Sequence, residues 1–247
     1  MTTIFQYAPY GDNGIVVEAG KEISVEAHNK IKGLLNVIEE NKELIEGIEE
    51  AIPTYTTLLV FYDPLITSYK ELLNNIMKLE EEMTATDMAQ LETVYIPVLY
   101  GDDMGPDLEK VAKLNNMSVD EVISIHTSGE YLIYMLGFTP GFPYLGGMSE
   151  KIATPRLEVP REKITAGSVG IAGNQTGIYP IDSPGGWQLI GRTPLKLFDP
   201  LRKPAVLLKA GQYIKFEAID EKEYYRIKEA IEENNYSLKI TNKRGSE

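Results

Sequence analysis

The side chains best suited to bind a small ligand lie in a loop rich in glycine and proline. Residues 137–147 read Gly-Phe-Thr-Pro-Gly-Phe-Pro-Tyr-Leu-Gly-Gly. The order of Thr139, Pro140 and Gly141 predicts a type II turn, because proline presets φ at the second position and glycine accepts a positive φ at the third. Such a rigid loop exposes backbone N–H groups beside aromatic rings, which suits a small polar ligand. The alternative is an ordinary turn of a β-domain.

A second Pro-Gly segment and the first arginines follow this loop. Residues 183–186, Ser-Pro-Gly-Gly, are predicted to repeat the turn directly before Trp187, the only tryptophan. Every arginine lies at or after Arg156. Because the planar guanidinium binds carboxylate and phosphate through paired hydrogen bonds, an anionic ligand is expected in the second half of the chain. Arg156 and Arg161 are therefore candidate catalytic residues.

A serine in a glycine-rich segment resembles a nucleophile. Residues 166–170 read Ala-Gly-Ser-Val-Gly, close to the G-x-S-x-G elbow of acyl-transfer enzymes. That elbow requires a strand–turn–helix context and a histidine partner. The residues after Ser168 have no helical pattern, and His126 precedes the serine. A tight β-turn is the better explanation, with a nucleophilic serine as the alternative.

The histidine and cysteine content limits the chemistry of the isolated chain. Without cysteine, disulfides, thiolate metal sites and a cysteine nucleophile are excluded. His126 precedes a predicted strand and is a candidate catalytic residue, with a structural role as the alternative. His28 lies beside the apolar face of a predicted helix and is expected to be exposed. No zinc-binding spacing and no P-loop motif occurs, so no metal site is predicted and any ATP would be bound in another way.

Residues 1–83 have the pattern of a small α/β domain. Asn13-Gly14 is typical of a hairpin turn. Apolar residues from Ala27 to Ile38 recur with the helical period and build one face. Ser68 and Glu71 are placed for a capping box at the start of a second helix. The predicted order is β-β-α-β-β-α, with elements near 3–8, 14–19, 24–40, 44–51 and 56–62 and a last helix after Asp63.

Residues 84–91 are polar and are predicted to be a linker, and residues 92–247 are predicted to form a second domain. Residues 137–204 contain 9 of the 14 prolines, and residues 137–191 contain 11 of the 21 glycines. Many short strands separated by turns rich in glycine and proline indicate a β-barrel or sandwich. The predicted helices lie near 106–115, 118–127 and 221–234. The predicted strands lie near 93–99, 131–138, 168–172, 187–190, 195–198, 205–208 and 213–219.

The net charge of −13 is unevenly distributed. Residues 1–125 contain 8 Lys and Arg against 23 Asp and Glu, whereas residues 126–247 contain 16 against 14. The acidic first half repels nucleic acid and anionic lipid, so neither is expected as a partner. A solvated acidic surface is the simpler explanation of this charge.

The composition indicates a soluble globular protein, with 43% apolar and 25% charged residues. No apolar run is long enough to cross a bilayer. The first residues lack the basic and apolar parts of a signal peptide. A cytoplasmic location is therefore expected.

Several segments of the second half resemble one protein family. They are His-Thr-Ser at 126–128, the loop segment 134–146, Ala-Thr-Pro-Arg at 153–156, Val-Pro-Arg at 159–161, and the segments 166–180 and 183–187. These segments are similar to the allophanate hydrolase subunit 1 family, which includes 5-oxoprolinase subunits and the kinase inhibitor KipI. The specific motifs cover residues 126–199, and the chain length and domain order match throughout.

The resemblance implies an α+β fold with two domains. The first is a DCoH-like β-β-α-β-β-α domain, and the second is a cyclophilin-like β-barrel domain. It also implies two partner chains, a C subunit of the allophanate hydrolase subunit 2 family and an A subunit of the LamB/YcsF family. In fused urea carboxylases the two similar modules form the carboxyltransferase portion, with the site between them. The chain is therefore not expected to be active alone.

The reaction implied by the resemblance is the ATP-dependent opening of the 5-oxoproline lactam to glutamate, carried out with the A and C subunits. ATP is then required at the level of the complex. Two alternatives remain open. One is a KipI-type inhibitor of a sensor histidine kinase, and the other is a carboxyltransferase-like subunit that accepts a carboxyl group from biotin.

The same motifs supply the expected site for a small anionic substrate. A lactam is activated when its oxygen is phosphorylated, and the site has then to stabilise negative charge and position water. Arg156, Arg161 and backbone amides near Gly141 or Gly167 are expected to bind the anionic groups. The expected substrate-binding residues are Phe138, Pro140, Gly141, Phe142, Tyr144, Gly167, Ser168, Gln175, Thr176, Tyr179 and Trp187.

Overall fold

The computed structural model describes residues 4–22, 24–83 and 90–244. Internal contacts divide the chain into two units, one extending to Gln90 and one spanning Leu91–Lys243. Residues 84–89 of the predicted linker lie outside the described part. Both units combine helices with sheets that contain antiparallel pairs, which confirms the predicted α+β class.

The first unit is an antiparallel sheet packed against two helices. Its elements are β1 (Gln6–Tyr10), β2 (Gly14–Glu18), α1 (Val25–Glu40), β3 (Ile48–Pro53), β4 (Thr57–Tyr62) and α2 (Tyr69–Glu82). The strand order in the sheet is β1-β2-β4-β3. The predicted order β-β-α-β-β-α is confirmed. Fully buried Leu34 of α1 and Ile76 of α2 join Val17 and Leu58 of the sheet in one core.

The start of helix α2 is set by a local signal, whereas the burial of His28 in α1 was not indicated by the sequence. The Ser68–Glu71 capping box is confirmed, because each residue's side chain accepts a hydrogen bond from the other's backbone N–H.

The prediction that His28 is exposed is wrong, since only 2% of it is accessible. The buried face of α1 is wide enough to take both Ala27 and His28. Burial, helped by Lys32, lowers the pKa of His28 to about 4, so the ring is neutral.

The second unit is built from short strands and three helices. Its helices are α3 (Leu108–Leu114), α4 (Val119–Ser128) and α5 (Glu221–Glu232). Its strands are β5 (Gln90–Tyr100), β6 (Tyr131–Leu136), β7 (Pro143–Gly146), β8 (Arg161–Ile164), β9 (Ser168–Ala172), β10 (Gln175–Ile178), β11 (Ser183–Gly185), β12 (Gln188–Arg192), β13 (Tyr213–Ala218) and β14 (Ile240–Arg244).

Eight of these strands form a nearly closed barrel. The path runs β10-β9-β12-β5-β13-β6-β7, with β14 paired to β5. The two end strands, β10 and β7, lie close together and bring the sheet near to closure. Most pairs are antiparallel, whereas β5 and β13 are parallel. The core is filled by alternating apolar residues, such as the fully buried Val94, Ile96 and Val98 of β5.

Several sequence-based assignments in this unit differ from the structure. Residues 195–198 and 205–208 were predicted as strands, but they meet only in an isolated bridge between Phe198 and Val206. The strands β7, β8, β10, β11 and β14 were not predicted, because segments of three to five residues are too short to reveal an alternating pattern. Among the described helices, none is both long and apolar enough to span a bilayer.

Candidate functional site

The loop between β6 and β7 has the predicted turn at its tip. The N–H of Phe142 donates to the carbonyl of Thr139 (3.1 Å), and Gly141 has a φ of +81°, which confirms the type II turn. The N–H of Gly137 donates to the carbonyl of Phe142 (3.1 Å) and closes the loop. Phe138 has a φ of +61° and a side chain that is 73% exposed. Such strain in a non-glycine residue is retained mainly at functional sites.

This loop places one ring at the centre of an aromatic cluster. Phe142 is 4% exposed and lies 5.3–5.9 Å, between ring centroids, from four other rings. All four contacts are edge-to-face, the geometry that aromatic pairs prefer. The cluster is separate from the main barrel core. The four surrounding rings are those of Phe138, Tyr144, Tyr179 and Trp187.

A cavity of about 330 Å³ opens beside this cluster. We call it the aromatic cavity. Its volume is suited to a small ring compound. Besides the aromatic residues, two residues with polar side chains line it, the exposed Arg156 and the half-buried Gln175, and neither side chain is hydrogen-bonded within the described part of the chain. The cavity is lined by Phe138, Phe142, Tyr144, Arg156, Gln175, Tyr179, Pro184, Gly185, Gly186 and Trp187.

The ionisable groups of the aromatic cavity are suited to binding rather than to proton transfer. Its lining, as far as the structure describes it, contains no carboxylate, histidine or lysine. Burial raises the pKa of Tyr179, although a hydrogen bond from the Trp187 backbone and the charges of Arg156 and Arg161 oppose this effect. The phenol is therefore neutral near pH 7. The cavity can hold a carboxylate at Arg156 and an amide at Gln175, but it lacks a general base.

Arg161 lies behind the wall of the aromatic cavity and does not line it. Its Nη2 donates to both carboxylate oxygens of Asp107, at 2.8 and 2.9 Å, and its Nη1 donates to the carbonyl of Trp187 at 3.2 Å. Asp107 is 7% exposed, and its Oδ2 also accepts the N–H of Leu189 at 2.6 Å. The structure thus separates the two arginines that the sequence grouped together. The side chain of Arg156 is available to bind a ligand, whereas Arg161 stabilises the wall of the cavity.

The predicted second Pro-Gly turn is wrong. Residues 183–185 form β11, which pairs with β8, and neither Gly185 nor Gly186 has a positive φ. Pro184 is tolerated there because the pair is a two-stranded ribbon with free edges. Glycine is required at position 185 for steric reasons instead. A Cβ at this position would lie 2.4 Å from the Tyr179 Oη.

The structure places His126 in the barrel core rather than in the aromatic cavity. Its side chain is 0% exposed and stacks on Phe216. The hydroxyl of Thr176 donates to a backbone carbonyl, so it accepts from Nε2 of His126 (2.8 Å), and Nδ1 accepts from the Tyr100 hydroxyl (2.7 Å). Burial lowers the pKa of His126 to about 3. Both ring nitrogens are occupied inside the protein, and this fits a structural role.

Five other residues predicted to bind substrate also lie outside the lining of the aromatic cavity. Ser168 begins β9, is fully buried and has no hydrogen-bond partner for its Oγ among the described residues. It follows a turn in which its N–H donates to Thr165 and Gly167 has a φ of +84°, which confirms the tight turn. The remaining three are Pro140, Gly141 and Thr176, of which Thr176 belongs to the His126 network.

Sequence reasoning did not single out Asp107. It lies 54 positions from Arg161, so no local spacing connects the two residues. Two larger cavities, of about 530 and 450 Å³, contain none of the predicted ligand residues. The chemistry of the lining, rather than volume, therefore identifies the aromatic cavity as the candidate site. Within the described part of the chain, no group of three or more His, Asp or Glu is arranged to hold a metal ion.

Comparison with known proteins gives consistent matches over nearly the whole chain. The model of the carboxyltransferase domain, subdomains C and D, matches residues 5–208. The 5-oxoprolinase B subunit of Bacillus subtilis is 48% identical over 240 residues, which cover 93% of this chain and 99% of that protein. The urea amidolyase of Saccharomyces cerevisiae is 23% identical over 95% of this chain, but this region is only 14% of that protein.

A solved structure agrees with these sequence matches. The crystal structure of TTHA0988 matches with a TM-score of 0.74 at 34% identity, covering 84% of this chain and 40% of that one. The resemblance derived from the motifs is therefore confirmed. Because the domain model spans most of the chain and a relative of nearly equal length is 48% identical, the chain belongs to the carboxyltransferase subdomain C and D family.

Proposed function

We propose that this chain is the B subunit of an ATP-dependent 5-oxoprolinase and binds 5-oxoproline in the aromatic cavity. The observation that carries the proposal is the pairing of an unengaged guanidinium and an unengaged amide with aromatic walls around about 330 Å³. The substrate is a five-membered lactam with one carboxylate. Arg156 binds the carboxylate, Gln175 binds the lactam amide, and the aromatic side chains supply the apolar wall against which the ring packs. The 48% identity to a 5-oxoprolinase B subunit supports this assignment.

The chemical step needs groups that the aromatic cavity does not have. A phosphoryl group passes from ATP to the lactam oxygen, water attacks the activated carbon, and the C–N bond breaks to leave an acyl phosphate. A second water hydrolyses this acyl phosphate and releases phosphate. The products are glutamate, ADP and phosphate. A base for the water and a site for ATP are required, and the described lining offers no base. We therefore propose that the site is completed by partner chains, namely a C subunit of the related barrel family and an A subunit.

We further propose that the two units are a DCoH-like domain and a cyclophilin-like domain. The β-β-α-β-β-α order of the first unit supports a DCoH-like domain over residues 1–83, and the nearly closed sheet supports a cyclophilin-like domain over residues 92–247. Limited proteolysis of the full chain is expected to cut within 84–91 and to leave two folded fragments. The use of ATP supports a cytoplasmic location, where ATP is plentiful.

The similarity to urea amidolyase favours one second candidate. In a carboxyltransferase-like subunit, Arg156 would bind the carboxylate of a carboxylated cofactor such as carboxybiotin. A KipI-type kinase inhibitor would use the exposed Phe138 as a docking group instead. Both alternatives predict that 5-oxoproline does not bind the aromatic cavity.

Reconstitution with the two partner chains tests the proposal. The full chain, combined with the A and C subunits, is expected to form glutamate and phosphate from 5-oxoproline and ATP. Addition of 5-oxoproline is expected to change the fluorescence of Trp187. Carboxyl transfer from biotin without lactam opening would favour the second candidate. Absence of turnover with an assembled complex would refute the proposed function.

A further inference from the structure

A second cavity of the barrel unit, of about 450 Å³, has the character of an anion site. It shares no lining residue with the aromatic cavity. Its walls come from the segments around residues 165–166, 180–182 and 192–198 and from helix α5. Three of its lining side chains are cationic, and we call it the basic cavity. They are Arg192, Lys196 and Lys228.

Arg192 is the unusual member of this group. Its Nε is buried and has no hydrogen-bond partner within the described part of the chain. It lies close enough to Asp182 and Tyr224 to influence their pKa values, yet it makes no ion pair within 4.0 Å there. A partly buried guanidinium without a partner is unfavourable, because desolvation is not offset by hydrogen bonds. The Nη groups of Arg192 are not buried and form no hydrogen bond within the described residues, so they are the atoms that an anion in the cavity would bind.

Within the described residues, the carboxylates of the basic cavity form no direct ion pair with these cations. Asp182 is paired with Lys163 at 2.8 Å, and it also accepts the N–H of Ala166 at 2.8 Å. Lys196 and Lys228 are exposed and form no ion pair with any described carboxylate. Glu232 is then the only other described acid in the lining. The lining of the basic cavity therefore has an excess of positive charge.

From this arrangement we infer that the basic cavity binds a polyphosphate group, either within a nucleotide or free. Three cations match the multiple charges of a di- or triphosphate better than the single charge of a carboxylate, and a guanidinium binds two phosphate oxygens at once. Buried Tyr224 and half-buried Phe198 provide an apolar wall beside the cations. The site is separate from the aromatic cavity and does not depend on which substrate that cavity takes.

Calorimetric titration of the full chain with tripolyphosphate, ATP and inorganic phosphate tests this inference. We expect tripolyphosphate and ATP to bind, and Arg192→Gln to weaken both at least tenfold. A tighter affinity for ATP than for tripolyphosphate would identify a nucleotide, and equal affinities a free polyphosphate. Arg226→Gln is the matched control, because this exposed arginine of α5 is already paired with Glu223 and its loss changes the net charge equally.

Thermal unfolding provides an independent readout. Since Arg192→Gln removes an unpaired charge, the unliganded variant is expected to unfold at the same or a higher temperature than the wild type. Tripolyphosphate is expected to raise this temperature only for proteins that retain Arg192. The inference is overturned if neither polyphosphate binds, if Arg192→Gln binds like the wild type, or if Arg226→Gln loses as much affinity. It is also overturned if Arg192→Gln impairs only assembly with a partner chain. That result would mean that an acidic surface of the partner protein, and not a polyphosphate, binds in the basic cavity.

Discussion

Asp107 and Arg161 form an ion pair in which Nη2 of Arg161 donates to both carboxylate oxygens, at 2.8 and 2.9 Å, and this pair supports the wall of the aromatic cavity from behind. Asp107 stands at the N-cap of α3 but makes no side-chain capping bond there. Its oxygens instead accept hydrogen bonds from Arg161 and from the backbone of Leu189, while Arg161 also binds the carbonyl of Trp187. Asp107 thus gives up a favourable cap and instead fixes Arg161 and the backbone that directly follows Trp187.

The first prediction concerns Asp107→Asn. The amide keeps the shape but loses the charge and one acceptor, which leaves Arg161 partly unpaired. We expect the free energy of unfolding to fall by roughly 1.5–3 kcal/mol, the range for hydrogen bonds to charged groups. We also expect the emission of Trp187 to shift and the KM of the reconstituted complex to rise more than kcat falls.

The control for this prediction is Glu223→Gln. It breaks an Arg–carboxylate ion pair of similar length on α5, but both side chains are largely accessible to solvent, so no measurable change of stability is expected. If Asp107→Asn lowers stability without altering the Trp187 emission or KM, Asp107 has only a general structural role.

The second prediction separates the two arginines of the motif segments. Arg156→Gln is expected to lower kcat/KM of the complex roughly 10- to 100-fold, as for the loss of a charged hydrogen-bonding group, with an unchanged unfolding temperature. Arg161→Gln is expected to lower that temperature as well, because it leaves Asp107 buried without its partner. Equal thermal effects of the two substitutions would contradict this division of roles.

The aromatic loop was predictable from sequence because its geometry is local. Thr139, Pro140 and Gly141 favour a type II turn through their own φ preferences, and helix caps such as Ser68 with Glu71 are equally local. The sequence also indicated Phe142, Tyr144 and Trp187 as ligand-facing rings, and the structure brings them together.

Other features depend on pairing between distant segments, which spacing does not encode. Pro184-Gly185 has the composition of a turn but lies in β11, because β8 pairs with it. The burial of the two histidines was not evident from the sequence for a related reason. His28 and His126 are buried by neighbours from several elements, and a polar residue at a core position gives no periodic signal.

The third prediction concerns pH and His126. The pKa is about 3 in the folded state and about 6.5 when unfolded. As the pH falls, His126 of the unfolded chain therefore binds a proton before His126 of the folded chain does. The contribution of neutral His126 to stability is complete above pH 6.5 and is lost as the pH falls towards 3. We expect the free energy of unfolding of the barrel unit to decrease by about 1.4 kcal/mol per pH unit below pH 6, from this residue alone.

Trp187 makes this measurement specific, because the only tryptophan of the chain lies in the second unit. Urea unfolding followed by its fluorescence between pH 5 and 6.5 is expected to show the slope in the wild type and to lack it in His126→Gln. His28→Gln is the control. His28 lies in the first unit, so its loss is expected to leave the slope unchanged. A slope that persists in His126→Gln would refute the assignment.

The last prediction compares two adjacent glycines of the aromatic cavity. A Cβ at Gly185 would lie 2.4 Å from the Tyr179 Oη and 2.8 Å from the Ile164 Cδ1, whereas at Gly186 the nearest atom is 3.6 Å away. Tyr179 is packed against Phe142 and cannot move without disturbing the aromatic cluster. Gly185→Ala is therefore expected to shift the Trp187 emission and to raise the KM for 5-oxoproline, and Gly186→Ala to change neither. Because neither glycine has a positive φ, backbone strain does not enter the comparison. Equal effects at the two positions would mean that the contact with Tyr179 does not shape the cavity.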